Sequence, residues 1–140
     1  MIRIINRGRQ RIKQIIYKAP PTIQAFHRSR KFHRCIRGPR GSAKSTGGCW
    51  EGFLVARRQA PLSDGVRRTR GAVIRNTYRE LEDTTIKTWL DWFHEDIYGK
   101  FNRSTMSHTL RHGDVECEVL FRALDRPGDI KKVLSLELTW

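Results

Sequence analysis

This chain has no acidic side chain in its first 50 residues, and its first carboxylate is that of Glu51. Thirteen lysines and arginines lie between Arg3 and Lys44, and the 140 residues together carry 28 basic and 14 acidic residues, a formal net charge of +14. A field of this sign attracts polyanions. The lack of acids therefore favours nucleic acid, a nucleotide or an anionic membrane face as a partner, with a solvated basic tail as the alternative.

Long apolar runs and paired cysteines are also missing. No stretch approaches the roughly 20 apolar residues of a membrane helix, and the N-terminus lacks the continuous apolar core of a secretory signal. The three cysteines are widely spaced, with no Cys-x-x-Cys. The odd number and wide spacing argue against a disulfide scaffold and favour a reducing compartment. A chain of this length is the size of one ordinary domain.

The N-terminal segment is rich in isoleucine and basic residues. Isoleucines among Arg, Lys and Gln in residues 2–18 fit a basic amphipathic helix, weakened at Gly8 and stopped by the prolines at 20 and 21. We therefore predict a basic, helical N-terminal arm over residues 1–21, followed by a separate domain over residues 22–140.

Strand-like and helix-like patterns alternate through the rest of the chain. Asn76 and Thr77 offer N-caps for one long helix that Gly99 terminates, and His112-Gly113-Asp114 is typical of a hairpin turn. Strands are predicted at 33–37, 71–75, 107–111, 115–122 and 132–140, a helix at 44–59, and a turn or helix start at 125–129. This order predicts an α/β fold.

A glycine-rich loop separates the first of these strands from the helix at Lys44. The loop approximates the pattern Gly-x4-Gly-Lys-Ser/Thr, in which successive backbone N–H groups converge on a β-phosphate. Lys44 would reach the β- and γ-phosphates, and Ser45 would ligate Mg²⁺. The helix that begins there would add its N-terminal partial charge. The residues are Gly38, Pro39, Arg40, Gly41, Ser42, Ala43, Lys44, Ser45 and Thr46.

Two residues of the loop leave alternatives open. Ala43 stands where the pattern has its second glycine, and its methyl group is compatible with the loop if its φ is negative. Arg40 could face the γ-phosphate and stabilise its charge, or it could point to solvent. A plain Gly/Pro turn between two elements is the alternative to the whole motif.

Four segments, in order, resemble the large terminase subunit of tailed bacteriophages, the ATP-driven motor that packages DNA into capsids. Together they span most of residues 22–140. The segments are Phe26-His27-Arg28-Ser29 with the strand and loop up to Ser45, residues 73–81, residues 83–93, and residues 121–127 leading to 134–139.

The resemblance implies a P-loop NTPase fold of the additional-strand, catalytic-glutamate (ASCE) class, with ATP and Mg²⁺ as cofactors. It makes Lys44 and Arg40 the catalytic residues of the loop and Ser45 the metal ligand. Phe26 and His27 lie where the family contacts adenine. The candidate nucleotide-binding residues are Gly38 to Thr46, together with Phe26, His27 and Arg75, which is a candidate for lining the pocket.

In this family an acidic pair that holds Mg²⁺ and activates water follows the segment resembling Leu134–Thr139, and the sequence ends at Trp140 before it. We therefore expect the incomplete, ATP-binding portion of a packaging ATPase, which binds nucleotide without turnover. The implied partners are double-stranded DNA, the portal, the small terminase subunit and a homo-oligomeric ring, with no membrane. The implied location is the cytoplasm of an infected bacterial host, with transient docking on the procapsid.

Two other classes of function remain open. A non-catalytic basic nucleic-acid-binding module would explain the charge and the interspersed aromatics, although Trp89 and Trp92 share a helical pattern with Leu90 that core packing explains. A zinc site could use one of two three-ligand sets. The sets are His108, His112 and Cys117, or His27, His33 and Cys35.

Overall fold

The computed structural model describes residues 2–7 and 10–140, and from residue 15 onward it also describes the side chains. The chain divides into two compact units, unit 1 from Met1 to Gly47 and unit 2 from Gly48 to Trp140. Thirteen of the 28 basic residues and none of the 14 acidic residues belong to unit 1. Unit 2, with fifteen basic and fourteen acidic residues, is therefore nearly neutral, and the excess charge belongs to unit 1.

Unit 1 begins with an antiparallel hairpin of strands β1 (Ile2–Arg7) and β2 (Gln10–Ile15). In its register Ile2 is opposite Ile15 and Ile5 is opposite Ile12. The predicted N-terminal helix is wrong. Every apolar residue of these strands is isoleucine, whose β-branched side chain loses rotamer freedom in a helix and favours a strand.

Helix α1 (Pro21–Arg28) follows the hairpin and carries the buried side chains of unit 1. Pro21 occupies the first turn, where a missing N–H costs nothing. Ile23 and His27, one turn apart, are buried. Nε2 of His27 lies 2.9 Å from the hydroxyl of Tyr17, and this hydrogen bond ties α1 to the segment before it.

Residues 34–39, which lead into the glycine-rich loop, are irregular. The strand predicted at 33–37 is therefore wrong. A β-compatible sequence needs a neighbouring strand to satisfy its backbone groups, and among residues 16–47 the structure assigns none. Helix α2 (Lys44–Arg58) begins at the lysine of the loop, and this confirms the predicted helix.

Unit 2 is built on a four-stranded mixed sheet, which confirms the α/β class at the level of mixed helices and strands. The strands are β3 (Arg67–Arg75), β4 (Phe101–Asn102), β5 (Ser107–His112) and β6 (Val115–Ala123). Their order in the sheet is β3-β6-β5-β4, with β3 parallel to β6 and the other pairs antiparallel. The β5–β6 hairpin is the one predicted.

Between β3 and β4 the chain is helical, and both predicted ends are confirmed. The hydroxyl of Thr77 accepts the backbone N–H of Glu80 at 3.2 Å, and Gly99 ends the segment with a φ of +115° that favours glycine. The predicted single helix breaks at Phe93, where φ is −109° and ψ is 71°. The pieces are α3 (Tyr78–Glu80), a π-helical segment (Leu81–Ile86), α4 (Lys87–Trp92) and α5 (Glu95–Tyr98).

The strand predicted at 132–140 is wrong. Helix α6 (Pro127–Leu134) runs into this segment instead, and its start confirms the turn or helix start predicted at 125–129. Pro127 fits a first turn, and the carboxylate of Asp129 accepts the backbone N–H of Arg126 at 3.0 Å. Residues 136–140 are irregular, yet Thr139 donates its N–H to the carbonyl of Arg70 at 2.6 Å. The indole of Trp140 lies so close to Gly52 and Gly71 that a Cβ at either glycine would overlap it.

Aromatic rings fill the core of unit 2. The rings of Trp89 and Phe93 have centroids 4.4 Å apart, and Phe121 meets Trp89 edge-on at 5.6 Å. All three side chains are almost completely buried. The predicted assignment of Trp89 to core packing is therefore confirmed.

A buried histidine crosses this core. Nε1 of Trp89 donates to Nδ1 of His108 at 2.7 Å, and Nε2 of His108 lies 2.6 Å from the carbonyl oxygen of Gly99. Because Nδ1 accepts, Nε2 carries the proton and the ring is neutral. Burial lowers the pKa of His108 from its usual value of 6.5, since the charged form loses its hydration.

We expect the stability of unit 2 to depend on this ring. A pKa that is lower in the folded than in the unfolded state means that the unfolded chain binds the proton more readily. The stabilisation is therefore complete above pH 6.5, the unfolded value, and is lost as the pH falls through the folded pKa. Urea unfolding at pH 7.5 and at pH 5 should show lower stability at pH 5. The difference should shrink in His108→Gln, and an unchanged difference in that variant would contradict the assignment.

Candidate functional site

The glycine-rich loop makes a tight turn with two left-handed residues. Gly41 has a φ of +77° and Ala43 a φ of +59°. The condition set for Ala43 from the sequence, a negative φ, is therefore not met. The alanine takes a conformation that glycine adopts freely and that costs an L-residue about 1–2 kcal/mol. Backbone of this kind turns successive N–H groups to one side, the arrangement of anion-binding loops.

Helix α2 begins directly after the turn. The N–H of Gly47 donates to the carbonyl of Ala43 at 2.8 Å, as the first bond of the helical ladder. The N–H groups of the first helical turn have no partner within a helix and carry a partial positive charge. Ser45 and Arg40 have exposed side chains and Thr46 is half-buried.

The side chain of Lys44 folds back into its own loop. Its ammonium group donates to the carbonyl oxygens of Gly38 at 2.6 Å and Pro39 at 2.5 Å, and to Oγ of Ser42 at 3.0 Å. The Ser42 hydroxyl in turn donates to the Pro39 carbonyl at 2.8 Å. The three N–H donors of the lysine are therefore satisfied by the loop, and its positive charge lies against the turn.

Two cavities adjoin in unit 1. One, of about 250 Å³, is lined by the loop residues Gly38, Pro39, Gly41 and Ser42. The other, of about 360 Å³, is lined by α1 and the segment after it. Thr22, Ile36 and Arg37 line both, so the two cavities share a wall. The loop thus lies beside a second space large enough for a ring system.

Phe26 and His27, the two residues predicted to contact adenine, differ in their environment. Phe26 lines the larger cavity, and the guanidinium of Arg34 lies 4.9 Å from the centre of its ring. His27 is buried and hydrogen-bonded to Tyr17. The structure therefore brings Phe26, and not His27, to the cavity.

Arg75 belongs to unit 2, where it ends strand β3. It is exposed, and one of its guanidinium nitrogens lies 3.5 Å from the hydroxyl of Thr84. Its role in nucleotide binding stays a prediction. Sequence reasoning missed Thr22, Ile36 and Arg37 as cavity residues. The nearness of Ile36 and Arg37 to Gly38 in the sequence was the available signal.

Neither zinc set gathers in the described residues, where no group of three His, Cys, Asp or Glu side chains is placed to hold a metal ion. Within the same part of the chain no helix is both long and apolar enough to cross a membrane. Comparison with known proteins finds no matching family model, no matching curated protein and no matching solved structure.

The left-handed Ala43 gives the first test of the loop geometry. Ala43→Gly should raise the free energy of unfolding by about 0.5–1 kcal/mol, because relief of the backbone strain exceeds the added entropy of the unfolded chain. Gly48→Ala, in the interior of α2 with open space at its Cβ, should also stabilise by up to about 1 kcal/mol. Urea unfolding followed by circular dichroism measures both. A loss of stability in Ala43→Gly would mean that φ at this residue is negative.

The three cysteines provide a second test. Cys35 is exposed and lines the larger cavity, whereas Cys49 and Cys117 are buried. Burial raises the pKa of Cys49 to about 12 and also raises that of Cys117, so neither thiol forms the reactive thiolate at pH 8. One thiol of the native protein should react rapidly with an aromatic disulfide reagent and three in denaturant. A rapid thiol that persists in Cys35→Ser would show that a buried cysteine is accessible.

Proposed function

We propose that the loop from Gly38 to Thr46 binds the β- and γ-phosphates of ATP, and that the chain is the ATP-binding portion of a viral DNA-packaging motor of the large terminase class. The observation that carries nucleotide binding is the position of Lys44. Its ammonium is held against a turn with two left-handed residues, at the start of a 15-residue helix. The lysine ammonium, the left-handed turn and the N-terminus of the helix each favour a negatively charged phosphate, and all three lie at this loop.

On this proposal a phosphate oxygen replaces the carbonyl oxygens of Gly38 and Pro39 as the acceptor for Lys44. The exchange is favourable because a charged oxygen accepts a stronger hydrogen bond from an ammonium group than a neutral carbonyl does. Ser45, exposed in the first turn of α2, supplies a hydroxyl oxygen of the kind that Mg²⁺ accepts as a ligand. Arg40, exposed inside the turn, would add positive charge beside the terminal phosphate.

The adjoining cavities support a nucleotide over a simple anion. The phosphates would lie in the space of about 250 Å³ at the loop, and the base in the space of about 360 Å³ that contains Phe26. Arg37 and Thr22, in the shared wall, would lie beside the sugar. An aromatic ring in the larger space offers a base a stacking surface.

Support for a packaging ATPase comes from the four collinear segments that resemble large terminase subunits. The finer assignment to a P-loop NTPase fold is part of the proposal. Strand order does not contribute to it, because residues 34–39, which precede the loop, are irregular and belong to neither described sheet. Double-stranded DNA as the partner rests on the same resemblance and on the charge of unit 1.

Fluorescent ATP analogues titrated into the full chain with Mg²⁺ test nucleotide binding. Lys44→Ala should weaken binding by about 10- to 100-fold, because hydrogen bonds from a charged group contribute about 1.5–3 kcal/mol. Lys18→Ala is the matched control, since it removes one exposed lysine from the same unit. It should change affinity less than about twofold, as screened surface charges do.

Equal losses in Lys44→Ala and Lys18→Ala would mean that ATP is held only by the general positive charge of unit 1, and would contradict the proposal.

A competition experiment tests the cavity proposed for the base. ATP should displace the analogue at a lower concentration than inorganic tripolyphosphate, and it should protect Cys35 from alkylation because that thiol lines the cavity. Equal competition by tripolyphosphate would leave the larger cavity without a role in binding.

A further inference from the structure

Phe32 has an aromatic ring that the fold leaves in solvent. Its side chain is 93% exposed, whereas Phe53, Phe93 and Phe121 are buried. The ring packs edge-to-face with the neighbouring His33, with centroids 4.8 Å apart. A phenylalanine in this position contributes little to the stability of unit 1, so its exposed face is open to a partner.

Basic residues flank this ring in the sequence. The aromatic-basic loop, which we define as residues 28–34, contains Arg28, Arg30, Lys31 and Arg34 in seven residues. Arg30 and Lys31, the two that flank Phe32 on its N-terminal side, are exposed. Unit 1 has no carboxylate side chain, so the exposed charges of Arg30 and Lys31 meet no acidic side chain of their own unit.

An exposed aromatic ring next to two exposed cations limits the kinds of partner that fit this loop. A single-stranded nucleic acid presents phosphates together with unstacked base faces, and both are matched here. A duplex hides its base faces in the stack and would use the cations alone. An anionic membrane needs a wide apolar face, whereas this loop offers one ring.

We propose that the aromatic-basic loop binds single-stranded nucleic acid, with a base stacked on Phe32 and the flanking phosphates held by Arg30 and Lys31. The interaction goes beyond ATP binding, because it uses neither the glycine-rich loop nor Lys44, although Lys31 also lines the larger cavity. On this proposal, unit 1 binds single-stranded nucleic acid as well as ATP. Stacking tolerates any base, so the binding is independent of sequence.

Fluorescence anisotropy of a labelled 12-nucleotide oligothymidylate with the full chain, over a series of salt concentrations, separates stacking from charge. Phe32→Ala should lower the association constant about tenfold at every salt concentration, the range expected for one lost base stack, without changing the salt slope. The double variant Arg30→Gln/Lys31→Gln should reduce the magnitude of the slope by about 1.4, since each phosphate contact to a single strand contributes about 0.7.

Four variants serve as controls. Tyr78→Ala removes an exposed aromatic side chain of unit 2 and should bind like the unaltered chain. Phe32→Trp should retain the affinity, whereas Phe32→Leu, which is apolar without a π-face, should lose it as Phe32→Ala does. Lys44→Ala should keep its affinity for the oligonucleotide, so the loss of ATP binding and the loss of strand binding are distinguishable.

Unchanged affinity in Phe32→Ala, or full affinity in Phe32→Leu, would overturn the proposal. An equal Phe32→Ala effect on a blunt 12-base-pair duplex would also overturn it, because the duplex should lose less than about twofold. Vesicles of phosphatidylserine and phosphatidylcholine provide the last comparison. Tighter, Phe32-dependent binding to these vesicles than to the oligonucleotide would replace the nucleic acid with a membrane surface.

Discussion

Two hydrogen bonds made by the His108 imidazole stabilise the core of unit 2. One comes from the Trp89 indole, and the other goes to the carbonyl oxygen of Gly99. Together they join the helical segment after β3 to the β5–β6 hairpin and to the glycine that ends the helices. Both ring nitrogens of His108 must be satisfied because an unpaired polar atom at this depth is costly. The aromatic core can therefore close around a polar side chain, and the sheet keeps its register.

Unit 1 is organised on a different principle. Among residues 15–47 the buried side chains are those of Ile23 and His27, so little apolar surface is removed from water. It contains thirteen basic side chains and no carboxylate side chain. Mutual repulsion opposes compaction of such a unit, and a bound polyanion relieves it. On the proposed function, binding and stability are thus coupled more closely in unit 1 than in unit 2.

The sequence predicts unit 2 better than unit 1, for physical reasons. Strong local signals lie in unit 2, namely the cap at Thr77, the left-handed Gly99 and the turn after β5. In unit 1 the spacing of the isoleucines in residues 2–15 fits either the helical or the strand period. Their β-branched side chains favour the strand. The segment before Gly38 has strand-like residues, yet strand formation depends on a neighbour that local sequence does not reveal. The motif predicted the loop from Gly38 to Thr46 but not the cavity beside it.

On the proposed function, the inward-folded ammonium of Lys44 makes phosphate binding a substitution and not a simple addition. A ligand must replace the carbonyl oxygens of Gly38 and Pro39 as acceptors for the ammonium group, so weakly accepting anions gain little by entering. Compact groups with several charged oxygens gain most. The extended phosphodiester of a nucleic acid strand, with one negative charge at each phosphate, competes poorly for the same lysine. On the two proposals, the terminal phosphates of ATP and the phosphates of a strand therefore use different cations, Lys44 for the first and Arg30 with Lys31 for the second.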